Sequence, residues 1–237
     1  MSKSIIRSEY KPIVDLFDKL TGKRSLQQVF YDSIEAFAIS IQNAFAIGEQ
    51  FSENEKRYNQ IISGYDSEEL TCMSEIFAEM VKLTENNPFR DVLGELYMQL
   101  GISCNALGQF FTPYNVSYMM SKITTNFDEI KSIISSKGYI IVNEPTCGSG
   151  SNIIAFCECL HENGIKYQTQ CIAVCQDLSR IPARMCYITL SLLGCSAVIK
   201  VGDTLFDPFT SYREEILKNS EIWTTPMFCL TNGQDKI

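Results

Sequence analysis

The chain has 237 residues, an apolar fraction of 45% and a formal net charge of -8. That is enough apolar material for a proper core in one large or two small domains. The acidic balance argues against a broad basic face, although a local basic patch can sit on an acidic protein. No apolar run reaches the ~20 residues that span a bilayer.

The first hundred or so residues read as helical. Ser25–Phe30 leads into Ile34–Ile41 with apolar residues at three- and four-residue steps, and Ser67–Leu70 opens a second such stretch through Ile76–Val81. Asn87-Pro88 breaks that pattern, and Asp91–Met98 forms a further short amphipathic segment. No β-rich run of any length interrupts this half, so we expect a helical domain over 1–106.

From Gly138 the pattern changes to short β-rich runs alternating with helical ones. Tyr139–Val142, Cys171–Cys175 and Ala197–Val201 read as strands, and Ser151–His161 and Ile181–Leu193 as helices. A βαβαβ succession predicts a parallel sheet with crossover helices over 107–237.

Between the first strand and its helix lies Glu144-Pro145-Thr146-Cys147-Gly148-Ser149-Gly150. A strand, glycine turn and helix is where an open α/β sheet binds a nucleotide-like ligand. Glycines let the backbone turn sharply and let a ligand approach where a Cβ would clash. Glu144 puts a carboxylate at the strand end, which points to a ligand bearing an ammonium group or hydroxyl donors rather than a phosphate.

Three further segments fall into line. Gly108-Gln109-Phe110-Phe111-Thr112-Pro113 precedes Val116, Met119, Met120 and Ile123 at helical spacing. Thr112 reads as a helix cap or ligand contact and Pro113 as a first-turn residue; taken alone, the segment is a helix start with aromatics packed under a domain junction. Asp177 ends the second strand, 27 residues beyond Gly150 against the usual ~20. It is either an acceptor for ribose hydroxyls or a surface cap for the next helix. Gly202-Asp203-Thr204-Leu205 follows the third strand, either as a contact to an adenine amine or as a tight turn.

The ten cysteines are scattered, and no secretory leader is seen at Met1-Ser2-Lys3-Ser4. They read as reduced thiols of a cytoplasmic protein, mostly filling the core. Cys157-Glu158-Cys159 and the pair Cys171 and Cys175 lack a second pair at zinc-site spacing, and His161 is the sole histidine, so no metal is expected.

In this order, the motifs Gly108–Pro113, Glu144–Gly150, Asp177 and Gly202–Leu205 resemble one family. The stretch from about Gly94 to Leu205 is similar to the gamma-class adenine-N6 DNA methyltransferases, which include the modification subunits of type I restriction-modification systems. The resemblance implies a Rossmann-like methyltransferase core and S-adenosylmethionine as cofactor. It implies that Phe111, Thr112 and Pro113 contact the cofactor, that Glu144 faces the methionine amino group, and that Thr146, Gly148 and Gly150 let that end lie against the backbone. Asp177 would take the ribose hydroxyls and Asp203 the adenine amine, with Thr204 and Leu205 nearby. Methyl transfer in such a family is direct, without a covalent enzyme intermediate or a metal.

The family also carries an Asn/Asp-Pro-Pro-aromatic tetrapeptide at the end of the fourth strand, which grips a flipped base. Nothing in the chain reproduces it. The nearest segments are Thr225-Pro226-Met227-Phe228, Met227–Asn232 with Asn232 at a strand end, and Asp207-Pro208-Phe209. Thr225, Pro226 and Asn232 are thus the expected catalytic positions, and a cofactor-binding subunit without catalysis is the alternative reading. About three strands of a complete sheet would follow the fourth, so a fragment of a longer enzyme is a further alternative. Cover for Trp223–Leu230 is expected from the helical half or another subunit, since open sheet edges are normally paired or covered. Expected partners are DNA, bound weakly or with assistance, and a second copy or another methyltransferase or specificity subunit. Lys122, Lys131 and Lys137 are candidate phosphate contacts.

Overall fold

The computed structural model describes residues 7–102, 111–216 and 222–232. The chain forms two compact units. The first comprises Met1–Pro88 and Val92–Phe110, the second Phe89–Asp91 and Phe111–Ile237.

The first unit is helical throughout its described residues. After a short 3-10 turn at Ser8–Tyr10 come α1 (Lys11–Leu20), α2 (Leu26–Asn43), α3 (Gly48–Ile62), α4 (Ser67–Asn86) and α5 (Val92–Gln99). Their starts are written in the sequence. Pro12 sits in the first turn of α1, Ser25 caps α2 by accepting from Gln28 N, and Asp66 and Glu69 form a reciprocal capping box on α4. The apolar faces meet in a core that includes Ile13, Phe17, Phe30, Ile34, Ile76 and Leu96. Phe30 lies 5.8 Å from Phe17 and 5.6 Å from Tyr97 between ring centroids.

The second unit holds α6 (Tyr114–Thr124), α7 (Phe127–Lys137), β1 (Ile140–Glu144), α8 (Ser151–Glu162), α9 (Tyr167–Gln170), β2 (Cys171–Asp177), α10 (Arg180–Leu192), β3 (Ser196–Val201), α11 (Tyr212–Ile216), β4 (Ile222–Thr224) and α12 (Pro226–Asn232). The sheet order is β1-β2-β3-β4. The first three strands are parallel, in register from Ile140 opposite Cys171 and from Ile172 opposite Ser196. β2 is central and buried along nearly its whole length, so it reads as a continuous apolar run rather than an alternating one. α10 is almost entirely buried too, which its sequence of Met185, Cys186, Tyr187 and Ile188 permits. Phe89 packs 5.5 Å from His161 and 5.8 Å from Tyr167, which joins this short segment to the second unit.

The fourth strand departs from expectation. β4 is three residues long and antiparallel to β3, with Ile199 opposite Trp223. The run Met227–Asn232 is helical, not extended. Periodicity cannot separate strand from helix in so short an apolar run. Pro226 settles it by opening the helix, with Thr225 O accepting from Cys229 N at 3.2 Å. Trp223 is packed within its own unit: the Arg184 guanidinium lies 3.3 Å from its ring centroid, and Tyr187 meets it edge-on at 5.2 Å.

Eight cysteines of the described residues are free and buried, and Cys229 is partly exposed. Cys157 and Cys195 lie 3.8 Å apart between sulfurs. Among the described residues no helix is long and apolar enough to cross a membrane, and no group of three or more side chains has the arrangement of a metal site.

Candidate functional site

The carboxyl ends of β1, β2 and β3 carry three loops that are tied to one another. The first, Pro145–Gly150, is bent by two glycines at positive φ, Gly148 at 54° and Gly150 at 101°. A Cβ on Gly148 would lie 3.0 Å from Phe111 Cδ1, and one on Gly150 would lie 3.4 Å from Cys186 Sγ. Both glycines are therefore demanded by conformation and by close approach. Gly150 also caps α8, with its carbonyl accepting from Ile154 N at 3.0 Å.

Asp177, the last residue of β2, holds this loop. One carboxylate oxygen accepts from Gly148 N at 2.9 Å and the other from Ser179 N at 2.9 Å. Cys147 N reaches Gln176 O at 2.8 Å alongside. Asp177 thus orders the approach to α10 and anchors the glycine loop, the second being a role that neither sequence reading contained. Burial pushes its carboxyl above the ordinary range, opposed by the two N–H donors and reinforced by the nearby negative Glu144.

Glu144 ends β1, half-buried. Its Oε1 accepts from Thr146 N at 3.2 Å, and its Oε2 from Asn152 Nδ2 at 3.0 Å. Asn152 accepts in turn from the Ser117 hydroxyl at 2.7 Å, linking β1, α8 and α6. The α6–α8 contact continues as a polar ladder in which Tyr114 reaches Glu158, and Tyr118 and Lys122 both reach Glu162. Lys122 is thereby engaged in an ion pair.

The third loop follows β3. Gly202 N donates to Asp177 O at 2.9 Å, and the Thr204 hydroxyl donates to Pro145 O at 2.6 Å. Asp203 closes a turn on itself, with Oδ1 accepting from Leu205 N at 2.9 Å and its carbonyl accepting from Asp207 N at 2.7 Å. Beside these polar groups stand exposed apolar side chains: Leu178 is 70% exposed, Leu205 87% and Phe206 88%. Apolar side chains beside a few polar groups are the usual lining of a ligand site.

The expected residues thus divide. Glu144, Thr146, Gly148, Gly150, Asp177, Asp203, Thr204 and Leu205 share one end of the sheet, with Phe111 against Gly148. Pro113 is the cap of α6, its carbonyl accepting from Val116 N, so Thr112 stands exposed one residue before the cap instead of forming it. Gly108, Gln109 and Phe110 lie outside the described residues. Thr225 is fully buried: its hydroxyl donates to Cys195 O at 2.7 Å and accepts from Ala197 N at 2.9 Å. Ala197 is four residues before Val201, so Thr225 and Pro226 lie roughly 13 Å from the carboxyl ends at ~3.3 Å per residue. They follow the end of the fourth strand as expected, but β4 runs antiparallel to β3, so that end lies away from the carboxyl ends of the parallel strands. Asn232 is the last residue of α12, not the end of a strand, and its side chain lies outside the described residues.

Three residues were missed by the sequence reading. Asp91 accepts from the buried Ser149 hydroxyl at 2.5 Å and so clamps the glycine loop from the segment after Asn87-Pro88. Leu178 follows the strand-end acid directly. Lys200 is a charged residue inside the apolar run Ala197–Val201, a visible signal that something buried must neutralise it.

A protein-family model described as N-6 DNA Methylase matches residues 89–233. No curated protein matches the chain.

Proposed function

The chain belongs to the N-6 DNA methylase family, and from that premise we propose that its second unit is a Rossmann-like domain that binds S-adenosylmethionine and methylates adenine N6 in DNA. One observation carries the cofactor reading: Asp177 joins the end of β2 to Gly148 N of the glycine loop, at the carboxyl ends of parallel strands.

The side chains present suit this cofactor. Glu144 offers negative charge to an ammonium group. Each Asp177 oxygen accepts one backbone hydrogen bond and keeps capacity for a diol, since a carboxylate has about four acceptor sites. Asp203 Oδ2 is open to an amine, and Leu178, Leu205 and Phe206 offer apolar faces to adenine. When bound, the cofactor supplies an electrophilic methyl group on a sulfonium. The chain's own part is to bind and orient: Glu144, Asp177 and Asp203 each address a different polar group along the ligand, and Gly148 and Gly150 keep the loop low beside it.

A second reading, a cofactor-binding subunit of a restriction-modification complex that does not itself transfer methyl groups, is favoured by the burial of Thr225 at the amino end of β3. Two measurements decide. Calorimetry with S-adenosylmethionine should show binding to wild type and its loss in Asp177→Ala; a wild type that does not bind rejects both readings. Labelled methyl groups should pass from the cofactor to mixed genomic DNA under the first reading. Binding without transfer supports the second.

A further inference from the structure

Lys200 is 1% exposed, with a charge that burial would make costly unless it were paired. Two carboxylates pair it. Nζ donates to Asp207 Oδ1 at 2.9 Å and to Glu215 Oε2 at 2.8 Å. Asp207 ends the Asp203 turn, and Glu215 lies in α11, beyond it in the chain. Asp207 is the residue on which that turn closes, through its N–H to Asp203 O. Glu215 gathers the far end, its other oxygen accepting from Thr210 N at 2.9 Å and Ser211 N at 3.3 Å. Gln176, which pairs with Lys200 in the parallel register and so shares its face of the sheet, adds a bond from Nε2 to Asp207 O at 2.9 Å. The packing leaves no slack: a Cβ on Gly202 would lie 3.2 Å from Gln176 Nε2 and 3.4 Å from Asp207 Oδ2.

We propose that Lys200 is a positioning residue for adenine recognition, fixing the Asp203–Asp207 turn through its paired bonds to Asp207 and Glu215 so that Asp203 meets the exocyclic amine of the cofactor. The inference rests on the reading of Asp203 as the acceptor for that amine. The turn has two other anchors, Gly202 N to Asp177 O and the Thr204 hydroxyl to Pro145 O, both at its near end. Without the Lys200 cation, Asp207 and Glu215 are left as two carboxylates sharing no counterion, and the far end of the turn keeps only its internal bond to Asp203 O and the Gln176 bond to β2. The carboxylate of Asp203 then loses its fixed direction while the rest of the ligand site keeps its supports. The consequence is a loss of discrimination for the amine rather than a general loss of binding.

The test is calorimetric titration of the full chain with S-adenosylhomocysteine and with its 6-oxo inosine counterpart, which lacks the exocyclic amine. Wild type should prefer the adenosine compound by on the order of tenfold, since one hydrogen bond to a carboxylate is lost with the amine. Lys200→Met should bring that ratio close to one, and Lys200→Arg should restore most of it. Should Lys200→Met fail to fold, Asp207→Asn carries the test. Its side chain is 65% exposed, and it weakens the same link. A ratio unchanged in Asp207→Asn and Lys200→Met, or affinity for both compounds falling in parallel, overturns the proposal while leaving the cofactor reading intact. A wild type that binds both compounds equally removes the role of Asp203, and one that binds neither removes the cofactor reading; either outcome overturns the Lys200 role with it.

Discussion

Gly148 carries two constraints at a single residue. Its φ of 54° is in the left-handed region, and the Phe111 ring occupies the space a side chain would need. Gly148→Ala should therefore lower stability by about 1–2 kcal/mol, from left-handed strain plus overpacking against the ring. Chemical denaturation checks this; an unchanged midpoint would mean that the ring moves aside freely. Asp177 shows a different kind of constraint, because its two carboxylate oxygens already accept from Gly148 N and Ser179 N. The sequence pointed to Asp177 by its position at a strand end. It did not reveal that the same carboxylate already holds the loop, because that bond spans 29 residues.

At the scale of elements, the Lys200–Glu215 pair fastens α11 to β3. Burial pushes the Glu215 carboxyl up, but the Lys200 ammonium and the N–H groups of Thr210 and Ser211 outweigh it and hold the carboxyl at about 2. A carboxyl with a depressed folded-state value stabilises the fold above its unfolded value of ~4.3, and that contribution is lost as pH falls. Glu215→Gln should accordingly flatten the loss of stability between pH ~4.3 and ~2. Thermal melts across that range in wild type and variant make the comparison, and superimposable acid limbs would show that the pair contributes nothing. β4 and α12 show the limit of local pattern. Residues 222–232 contain a three-residue strand and a short helix, too brief for either period to establish itself, and the antiparallel pairing with β3 is decided by Trp223 finding Arg184 and Tyr187.

For the whole molecule, a net charge of -8 sets the terms for DNA. Among the lysines considered as phosphate contacts, Lys122 is committed to Glu162, while Lys131 and Lys137 are exposed. Binding to a phosphate backbone gains from released counterions only where cations face it. The chain alone should bind duplex DNA no more tightly than ~1 μM near physiological salt, within the range of non-specific association. Fluorescence anisotropy with mixed-sequence duplexes measures this, and nanomolar affinity without a partner would refute it.

The sequence by itself determined the helical character of the first unit, the three parallel strands and their crossover helices, and the glycine loop with its strand-end acids. Those follow from local causes: apolar period, helix caps, and glycines where the backbone needs positive φ. Only the tertiary structure decided which side chains hold that loop, through Asp91 on Ser149, Asp177 on Gly148 and Lys200 on Asp207. Tertiary structure also decided that Thr225 bonds to the backbone of β3. These depend on contacts between residues far apart in the chain, and such contacts leave no period or motif behind. The lone lysine in an apolar strand was the one trace of them that the sequence displayed.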